Sequence, residues 1–389
     1  MKICMISSSS FERNYSSYHL MRDLILHLLN EENRIVLIQK YYDQKGTLPK
    51  EIANDENLTV REIKVANVAK SSMIQRMIAD ALYYLRTTRE IIRAKDSDIF
   101  FLQSNNLPYL PIFLIHMITH RPVVYNIQDI FPQNAASAGL LQKNSFKYIL
   151  LSKLQKWALK HSDAIVTISE DMKRTLIDAG GEEKRIAVSY NWENKVSEAG
   201  VEFEPDQDFH VVYAGNIGVM QNVEIIVEAA KILEKEKRIK FDIYGSGIRK
   251  EKCKQLAAGS NNICFHDPVP ANQAFSLYLN ADLNVITLGK GIISTALPSK
   301  TAACIQSGKP FLFSIDQDSL FAETLRDCGI PVSDPTTAEE LAEEIYRESI
   351  RTEAFSTPER LKDLFSQETS LKKYSEVLYS FRTKEDGEI

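Results

Sequence analysis

The segment 296–310 places a lysine where a phosphate group could be bound. Pro298 and Ser299 precede a short apolar stretch and Gly308 follows it, a pattern typical of a helix that begins at an N-cap Ser299 and stops at Gly308. Lys300 then lies in the first helical turn, where the helix dipole is already positive. An anion between the two positive charges would relieve their repulsion. The segment therefore predicts an anion site, with a solvated surface lysine as the alternative.

A second candidate anion site lies in the segment 209–230. A predicted strand ends at Ala214, a turn with Gly215, Asn216 and Gly218 follows, and an amphipathic helix begins at about Asn222. Glycine has no Cβ, so a diphosphate could approach the backbone closely while the helix N-terminus faces it. Two glycines in a strand-to-helix turn can equally serve steric needs alone. The glycine-containing loop 245–247 follows another predicted strand.

The elements that position these residues alternate between strand and helix along the whole chain. This order predicts parallel sheets covered by helices, that is, an α/β protein with two Rossmann-like domains. We expect domains at 1–190 and 209–365, joined by a polar linker at 191–208. The predicted strands are Lys2–Ser7, Arg34–Gln39, Asp98–Gln103, Pro122–Ile127, Asp163–Ile168 and Arg185–Tyr190 in the first domain, and Phe209–Ala214, Ile239–Tyr244, Ile263–His266, Asp282–Thr287, Pro310–Ile315 and Ile330–Val332 in the second.

Ligands of open parallel sheets bind beyond the carboxyl ends of the strands, so the loops that follow strands are candidate binding loops. In the first domain, the loop after the first strand contains Asn14, Tyr15 and Ser16. Gln128 and Asp129 follow the strand that ends at Ile127. Asp129 either accepts a hydrogen bond from a substrate hydroxyl or shapes its own loop.

Length and composition favour two cores in a cytosolic protein. The chain has 389 residues, of which 44% are hydrophobic, and its five cysteines are scattered without a metal-binding or redox spacing. The longest apolar run, 107–118, is interrupted by two prolines and is too short to cross a bilayer.

Charge is divided unevenly between the two halves of the chain. Residues 1–190 contain 25 Lys and Arg against 20 Asp and Glu, a net charge of +5, whereas the whole chain has −5. Much of this positive charge lies in two predicted helices, 74–92 and 142–160. Either these helices pack their apolar faces inward as ordinary surface helices, or they form a docking surface for anionic lipid headgroups.

Several motifs together resemble one known family. VVYNIQDIFPQ at 123–133, VVYAGNIG at 211–218, FDIYGSG at 241–247, PSK at 298–300 and SGKP at 307–310 are similar, in this order, to motifs of the family-4 glycosyltransferases of GT-B fold. The branch that it resembles most builds bacterial surface polysaccharides and is typified by WbuB-like amino-sugar transferases. Individually none of these motifs is specific.

The resemblance implies a fold, a reaction and a location. Two Rossmann-like domains would face each other across a cleft, with 1–190 binding the acceptor, 209–365 binding a nucleotide sugar, and a C-terminal helix, 371–381, crossing back to the first domain. It implies a retaining hexosyl- or N-acetylaminosugar transferase that needs no metal or other cofactor. Its partners would be the donor, a lipid-linked or oligosaccharide acceptor and the anionic inner face of the cytoplasmic membrane, in the synthesis of capsule, O-antigen or exopolysaccharide. No nucleic-acid partner is expected.

This sequence also departs from the family pattern. Two glutamates of many relatives fall at Thr295 and Ala303, and an Arg and a Lys fall at Asn216 and Gln221. Where some relatives have a catalytic histidine, this chain has Gln128. The losses at Thr295, Ala303, Asn216 and Gln221 motivate an alternative function, a catalytically silent subunit that binds a glycan or a partner transferase.

The site prediction combines the residues with the resemblance. We expect Asp129 and Lys300 to be catalytic, and two Asp-Gln-Asp triplets, 206–208 and 316–318, to be solvated loop acids rather than metal ligands. The predicted donor contacts are Gly215, Asn216, Gly218, Gly245, Ser246, Gly247, Pro298, Ser299 and Lys300, and the predicted acceptor contacts are Asn14, Tyr15, Ser16, Gln128 and Asp129.

Overall fold

The structure, a computed structural model, describes residues 1–7, 10–12, 18–67, 73–103, 108–193, 207–270 and 273–382. The chain divides into two compact units. Unit 1 contains residues 1–132 and 142–190 together with the C-terminal residues from 368 onward. Unit 2 contains residues 133–141 and 191–367, so the short segment 133–141 groups with unit 2 and not with the rest of the first 190 residues.

Unit 1 is built on a sheet of seven parallel strands in the order β3-β2-β1-β4-β5-β6-β7. Six of the strands were predicted; the edge strand β3 was not, because charged residues interrupt its apolar positions and only Ile63 of the strand is buried. The strands are β1 Lys2–Ile6, β2 Arg34–Tyr41, β3 Leu58–Lys64, β4 Ile99–Gln103, β5 Val123–Ile127, β6 Ala164–Thr167 and β7 Ile186–Val188.

Unit 2 contains a second parallel sheet of six strands in the order β10-β9-β8-β11-β12-β13. Its strands are β8 Phe209–Ala214, β9 Ile239–Tyr244, β10 Ile263–His266, β11 Leu283–Thr287, β12 Phe311–Ser314 and β13 Val332–Ser333. One face of this sheet, with Val211, Tyr213 and Phe241, packs against apolar side chains such as Val227 and Leu341 of two helices. Both sheets have the doubly wound order of Rossmann-like domains.

Fourteen α-helices connect or cover the strands of the described chain. They are α1 Tyr18–Asn30, α2 Met73–Arg93, α3 Tyr109–Thr119, α4 Gln133–Ser137, α5 Phe146–Lys160, α6 Glu170–Asp178, α7 Glu224–Ile232, α8 Lys250–Leu256, α9 Ala274–Asn280, α10 Lys300–Ser307, α11 Leu320–Asp327, α12 Ala338–Ser349, α13 Glu359–Leu364 and α14 Gln367–Tyr379. Among them, none is both long enough and apolar enough to pass through a bilayer.

Helix α14 is fastened to unit 1 by side chains along its length. The Ser370 hydroxyl donates to the carbonyl oxygen of Tyr190 at 2.6 Å, and the Tyr374 hydroxyl donates to Asn126 Oδ1 at 3.2 Å. Further along the helix, the hydroxyl groups of Ser375 and Tyr379 both donate to the Glu31 carboxylate of α1.

The helices α2 and α5 do not bury the faces that ordinary inward packing requires. On α2, Ile78, Leu85 and Ile92 belong to the predicted apolar face, yet all three are exposed. The helix instead buries the opposite face, which contains Tyr83, Tyr84, Thr87 and Ile91. On α5, Phe146 and Leu150 are likewise exposed, whereas Gln155, Ala158 and Leu159 are buried. The inward-packing interpretation of these two apolar stripes is therefore wrong.

Candidate functional site

The turn after β8 is bound to the loop after β9 by backbone hydrogen bonds. The N–H of Gly215 donates to the Tyr244 carbonyl oxygen at 3.0 Å, and the N–H of Ile217 donates to the Ser246 carbonyl oxygen at 2.9 Å. In return, the N–H of Arg249 donates to the Ile217 carbonyl oxygen at 3.0 Å. The two glycine-containing loops therefore form one connected unit at the carboxyl ends of adjacent strands.

Close backbone packing explains the two glycines of the second loop. A Cβ at Gly245 would lie 1.8 Å from the Gly215 carbonyl oxygen, and one at Gly247 would lie 2.2 Å from the Ile217 carbonyl oxygen. Both glycines also have positive φ angles, +148° and +158°. Gly245 and Gly247 thus hold the turn 215–217 in place, and any contact of this loop with a donor is additional to that role.

The N-terminus of α7 does not form the predicted phosphate cradle. The helix begins at Glu224, after a turn of five residues that separates it from Gly218. Glu224 places a carboxylate in the first helical turn and pairs with Lys252 at 3.3 Å. Because this acid already offsets the dipole of α7, and because two N–H groups of the turn 215–217 bond within the protein, an anion gains little from this helix.

Helix α10 differs from α7 at its N-terminus. It begins at Lys300 and ends at Ser307, and Gly308 follows as the C-cap, as predicted, in a left-handed conformation with φ +71°. Ser299 occupies the N-cap position, but its side chain makes no capping hydrogen bond, and the first turn contains no acid. The predicted capping role of Ser299 is therefore wrong, and the first turn of α10 keeps its positive end uncapped.

The fold brings Lys300 to the glycine turn after β8. A Cβ built on Gly215 would lie 3.1 Å from Lys300 Nζ, so a side chain at 215 would displace the ammonium group. The two residues are 85 positions apart and were assigned to the donor site on separate grounds. Their proximity places one cation and one open backbone position together within unit 2.

The Lys300 ammonium group is buried without a partner. Its Nζ lies 3.4 Å from the centroid of the Tyr213 ring, a cation–π contact, and within the described chain it makes no hydrogen bond. The neighbouring Thr301 Oγ1 is also buried without a partner. Burial away from water lowers the pKa of Lys300 to about 7, because desolvation disfavours the charged form. An anion bound beside Nζ would supply the missing partner.

The positions that hold cations in many relatives are occupied by two amides that bond to each other. Asn216 Nδ2 donates to Gln221 Oε1 at 3.0 Å, and the two side chains lie across Gly218. Thr295, at the position of one family glutamate, donates its hydroxyl to the Ile292 carbonyl oxygen, and Ala303, at the other, is buried. The cation that lies beside Gly215 in this structure is Lys300.

In unit 1, Gln128 and Asp129 follow β5 as predicted, and the C-terminal helix fixes the first of them. Asn126, the penultimate residue of β5, accepts hydrogen bonds at Oδ1 from Gln128 Nε2 at 3.2 Å and from the Tyr374 hydroxyl at 3.2 Å. Its own amide nitrogen donates to Gln103 Oε1 at 2.8 Å. These contacts leave Gln128 engaged in holding the loop.

Asp129 is crowded by protein atoms and still reachable from solvent. Desolvation raises its pKa to about 6, although the residue keeps a substantial water-exposed surface. A carboxylate in this condition can accept a hydrogen bond from an incoming hydroxyl. Of the other predicted acceptor residues, Asn14, Tyr15 and Ser16 lie outside the described residues.

The two Asp-Gln-Asp triplets make local contacts where they are described. Asp208 pairs with Lys240 at 3.8 Å, and Asp316 Oδ2 accepts the N–H of Gly291 at 2.7 Å. Asp206 lies outside the described residues.

Pro298 directly precedes the N-cap of α10, and its carbonyl oxygen accepts the N–H of Thr301 at 3.1 Å.

Two tyrosines of the site escaped the sequence analysis. Tyr213 precedes the glycine turn, and a buried aromatic residue at a strand end gives no functional signal by itself. Tyr374 lies 248 residues from Asn126, the residue that it contacts, so no local pattern could have linked them.

Comparison with known families assigns the class of this protein. The model of "Glycosyltransferase Family 4" matches residues 20–192, and that of "Glycosyl transferases group 1" matches residues 208–347, so the two models together cover most of the chain. The chain belongs to the family-4 glycosyltransferases and has their GT-B fold.

Individual relatives agree with this class. The chain is 24% identical over 327 residues to the probable glycosyltransferase WbjE of Pseudomonas aeruginosa, covering 79% of this chain and 80% of WbjE. It is 26% identical over 211 residues to the putative colanic acid biosynthesis glycosyl transferase WcaI of Escherichia coli K12, covering 50% and 51%. Among solved structures, Anabaena Alr3699/HepE in complex with UDP superimposes with a TM-score of 0.67 at 15% identity, covering 98% of this chain and 100% of that one.

Proposed function

We propose that this protein transfers a hexosyl or N-acetylaminosugar residue from a nucleoside-diphosphate sugar to a lipid-linked glycan. The transfer proceeds with retention at the anomeric carbon and without a metal ion. It contributes to a bacterial capsule, O-antigen or exopolysaccharide, and it takes place at the cytoplasmic face of the inner membrane, where the protein is peripherally attached.

One observation carries the donor assignment. Lys300 Nζ is buried beside Gly215 without a hydrogen-bond partner in the described chain, at the uncapped first turn of α10. Burying an unpaired ammonium group is unfavourable, and a protein tolerates it where a ligand completes the site. A diphosphate supplies the required negative charge, and Gly215 leaves room for it.

The chemistry of glycosyl transfer explains why a cation is needed there. When the bond between the anomeric carbon and the diphosphate oxygen breaks, its electron pair leaves with the diphosphate, and negative charge builds up on that oxygen. The acceptor oxygen bonds to the anomeric carbon, and its proton passes to the departing diphosphate or to solvent. Lys300 would stabilise the departing charge more strongly in the transition state than in the bound donor.

Asp129 is our candidate on the acceptor side. Its exposed surface and raised pKa fit a carboxylate that accepts a hydrogen bond from the acceptor hydroxyl and so orients it for attack. Tyr374 and Asn126 would hold the adjacent Gln128 in place and thereby limit the freedom of this loop.

The relatives support the choice of substrate class. HepE has been crystallised with UDP and with UDP-glucose, which favours a nucleoside-diphosphate sugar as the donor here. WcaI is described as a colanic acid biosynthesis enzyme, which favours a role in surface polysaccharide synthesis.

A thermal-shift panel of nucleotide sugars, followed by a transfer assay, tests the proposal. A ligand that binds only the folded state stabilises it by mass action, by about 2.7 kcal/mol at a hundredfold excess over Kd. We expect one nucleoside diphosphate and its sugar to raise the Tm, and this sugar to be released or transferred. Binding without any turnover on lipid-linked acceptors would instead indicate the catalytically silent subunit. No shift with any nucleotide would contradict the proposed transferase and would favour the silent subunit, which binds a glycan or a partner transferase.

A further inference from the structure

The ammonium group of Lys250, the first residue of α8, joins the ends of two neighbouring strands of unit 2. Its Nζ donates to the Gly245 carbonyl oxygen at 2.9 Å and to the His266 carbonyl oxygen at 2.8 Å. Gly245 directly follows β9, and His266 is the last residue of the edge strand β10. The N–H of Gly245 also donates to the His266 carbonyl oxygen, at 3.4 Å. Lys250 thus fastens the loop after β9 to the end of β10.

Main-chain carbonyl groups are the principal partners of this lysine. The Lys250 side chain is only 13% exposed, whereas the carboxylate of Asp267, 3.3 Å from Nζ, is 97% exposed. Because water screens such an exposed acid, its pair with Lys250 contributes little. Hydrogen bonds from a charged donor are stronger than those between neutral groups. The contacts that hold Lys250 in place are therefore those to Gly245 and His266.

Side-chain contacts also fix the end of β10. His266 Nε2 lies 2.7 Å from Asp242 Oδ1, and the His266 ring stacks on the Tyr244 ring with the centroids 4.1 Å apart. An edge strand has a neighbouring strand on one side only, so these contacts add a restraint that a second neighbour would otherwise supply. Since both its ring and its carbonyl group are held, His266 is a fixed point for Lys250.

Gly245 passes this restraint to the turn after β8. An added Cβ at Gly245 would lie 1.8 Å from the Gly215 carbonyl oxygen, so the two backbone segments are already as close as they can be. The N–H of Gly215 is also bonded to the carbonyl oxygen of Tyr244, the residue before Gly245. Gly215 in turn lies beside Lys300 Nζ. A displacement of Gly245 would therefore change the position of Gly215 relative to Lys300.

We propose that Lys250 is a positioning residue of the donor site. It acts through Gly245 and not by contact with the substrate: by clamping Gly245 to His266, it keeps the turn 215–217 in the position beside Lys300 that a nucleoside diphosphate requires. This role rests on the proposed function, in which Lys300 and Gly215 contact the diphosphate. A binding site depends on the residues that support its contact groups, since a displacement of about 1 Å can cost about a hundredfold in rate.

Equilibrium binding of nucleoside diphosphates to Lys250→Met tests this role without any acceptor. Methionine keeps the length of the side chain and removes its charge and its donors. Titration calorimetry with UDP, GDP and dTDP, well below the Tm of each protein, gives the Kd of whichever nucleotide binds the unchanged protein. We expect this Kd to rise about tenfold or more in Lys250→Met. Lys250→Arg should recover most of the affinity, because the guanidinium group can donate to both carbonyl oxygens.

Lys254→Met is the matched control on the same helix. The Lys254 side chain is 46% exposed and pairs with Glu251 at 3.4 Å, so its removal leaves the strand ends untouched and should not change the Kd. A purely structural role of Lys250 would lower the Tm of Lys250→Met and leave its Kd unchanged, which would overturn the proposal. If Lys250→Met does not fold, Lys250→Gln, with one amide donor for two carbonyl groups, should show a smaller rise in Kd.

A double-mutant cycle with Lys300 tests the path through Gly215. We expect Lys250→Met to reduce the donor kcat/KM less in the Lys300→Ala background than in the unchanged protein, because the position of Gly215 then matters less. Equal reductions in both backgrounds would overturn this path. Binding of a nucleotide that Lys250→Met leaves unaffected would overturn the role of Lys250 alone. Failure of the unchanged protein to bind any of the three nucleotides would overturn the proposed function and this role with it.

Discussion

Lys300 Nζ lies 3.4 Å from the centroid of the Tyr213 ring and makes no hydrogen bond to any residue that the structure describes. A cation–π contact weakly compensates an ammonium group for lost water, in the range of about 0.5–2 kcal/mol. Because this contact replaces only part of the lost hydration, the pKa of Lys300 stays low, and an anion bound beside Nζ would stabilise its charge. The first two predictions follow from this arrangement.

We expect Lys300→Ala to reduce turnover by about 10² to 10³, with a much smaller rise in the donor KM, because the charge acts mainly on the departing diphosphate. Lys300→Arg should recover only part of the activity, since the planar guanidinium group replaces a compact ammonium group beside Gly215. Steady-state kinetics measures both. The matched control is Lys309→Ala, beyond the other end of α10; near-normal turnover of Lys300→Ala would remove Lys300 from the site.

The stability of the donor-free protein should rise with pH between about 7 and 10. The folded state holds Lys300 at a pKa of about 7, whereas the unfolded chain keeps the ordinary value of 10.5, so in this window the unfolded state binds more protons. The slope should approach about 1.4 kcal/mol per pH unit for this one group. Urea unfolding of Lys300→Met should lose this slope and that of Lys309→Met should keep it; equal slopes in all three proteins would refute the pKa assignment.

Gly245→Ala should destabilise unit 2 and abolish nucleotide binding together. The new Cβ would lie 1.8 Å from the Gly215 carbonyl oxygen, so the turn after β8 must move. Gly259→Ala is the matched control, because Gly259 also has a positive φ, +88°, but has no atom within 4 Å of the added Cβ. We expect the control to lose only about 1 kcal/mol of stability and to keep nucleotide binding. Chemical unfolding and thermal shift with nucleotide measure the two effects.

Removal of the Tyr374 hydroxyl group should affect the loop after β5, which contains Gln128 and Asp129. Tyr374→Phe deprives Asn126 Oδ1 of a buried donor and should lower stability by about 1 kcal/mol. Turnover should also fall, because Gln128 shares the same acceptor atom and loses part of its support. Tyr379→Phe, on the same helix, removes a hydroxyl that contacts Glu31 and Asn33 and should change stability without changing turnover. Equal turnover in both variants would reduce Tyr374 to a purely structural role.

Transfer should continue in the presence of EDTA. The proposed site stabilises the diphosphate with Lys300 and the uncapped first turn of α10, and the triplet acids Asp208 and Asp316 make contacts of their own. Loss of activity on chelation, with recovery on addition of Mn²⁺ or Mg²⁺, would show that a metal performs this task.

The alternation of buried strands and helices was sufficient to predict twelve of the thirteen strands, because a strand buried on both faces leaves a continuous apolar run. The edge strand β3 was missed because charged residues interrupt its apolar positions and only Ile63 of the strand is buried. Periodicity also located α2 and α5 but gave no indication of which apolar side is buried, because each helix has two. That choice depends on tertiary packing, here on Tyr83 and Tyr84.

For the site, composition and spacing identified Lys300 and Gly215 separately. Their proximity depends on the adjacency of β8 and β11 in the sheet, which no local pattern specifies. Similarly, the sequence suggested a phosphate cradle at the glycine turn between β8 and α7. It gave no indication that Gly245 and Gly247, after β9, are needed where two backbone segments pack closely. Which N–H groups of a loop are already bonded depends on its tertiary contacts, and a local sequence pattern does not specify them.

The attachment of α14 to unit 1 has a consequence for biosynthesis. On the ribosome, residues 191–367, which form nearly all of unit 2, emerge before α14 exists. Throughout that time the space that Tyr374 fills beside Asn126 and Phe101 is open, and the apolar surface around it is exposed. Unit 1 begins first and is completed last, so its assembly spans almost the whole period of translation. A chain that stops before residue 367 would therefore contain the residues of unit 2 and a unit 1 with an unfilled cavity, which is a target for chaperones and proteases.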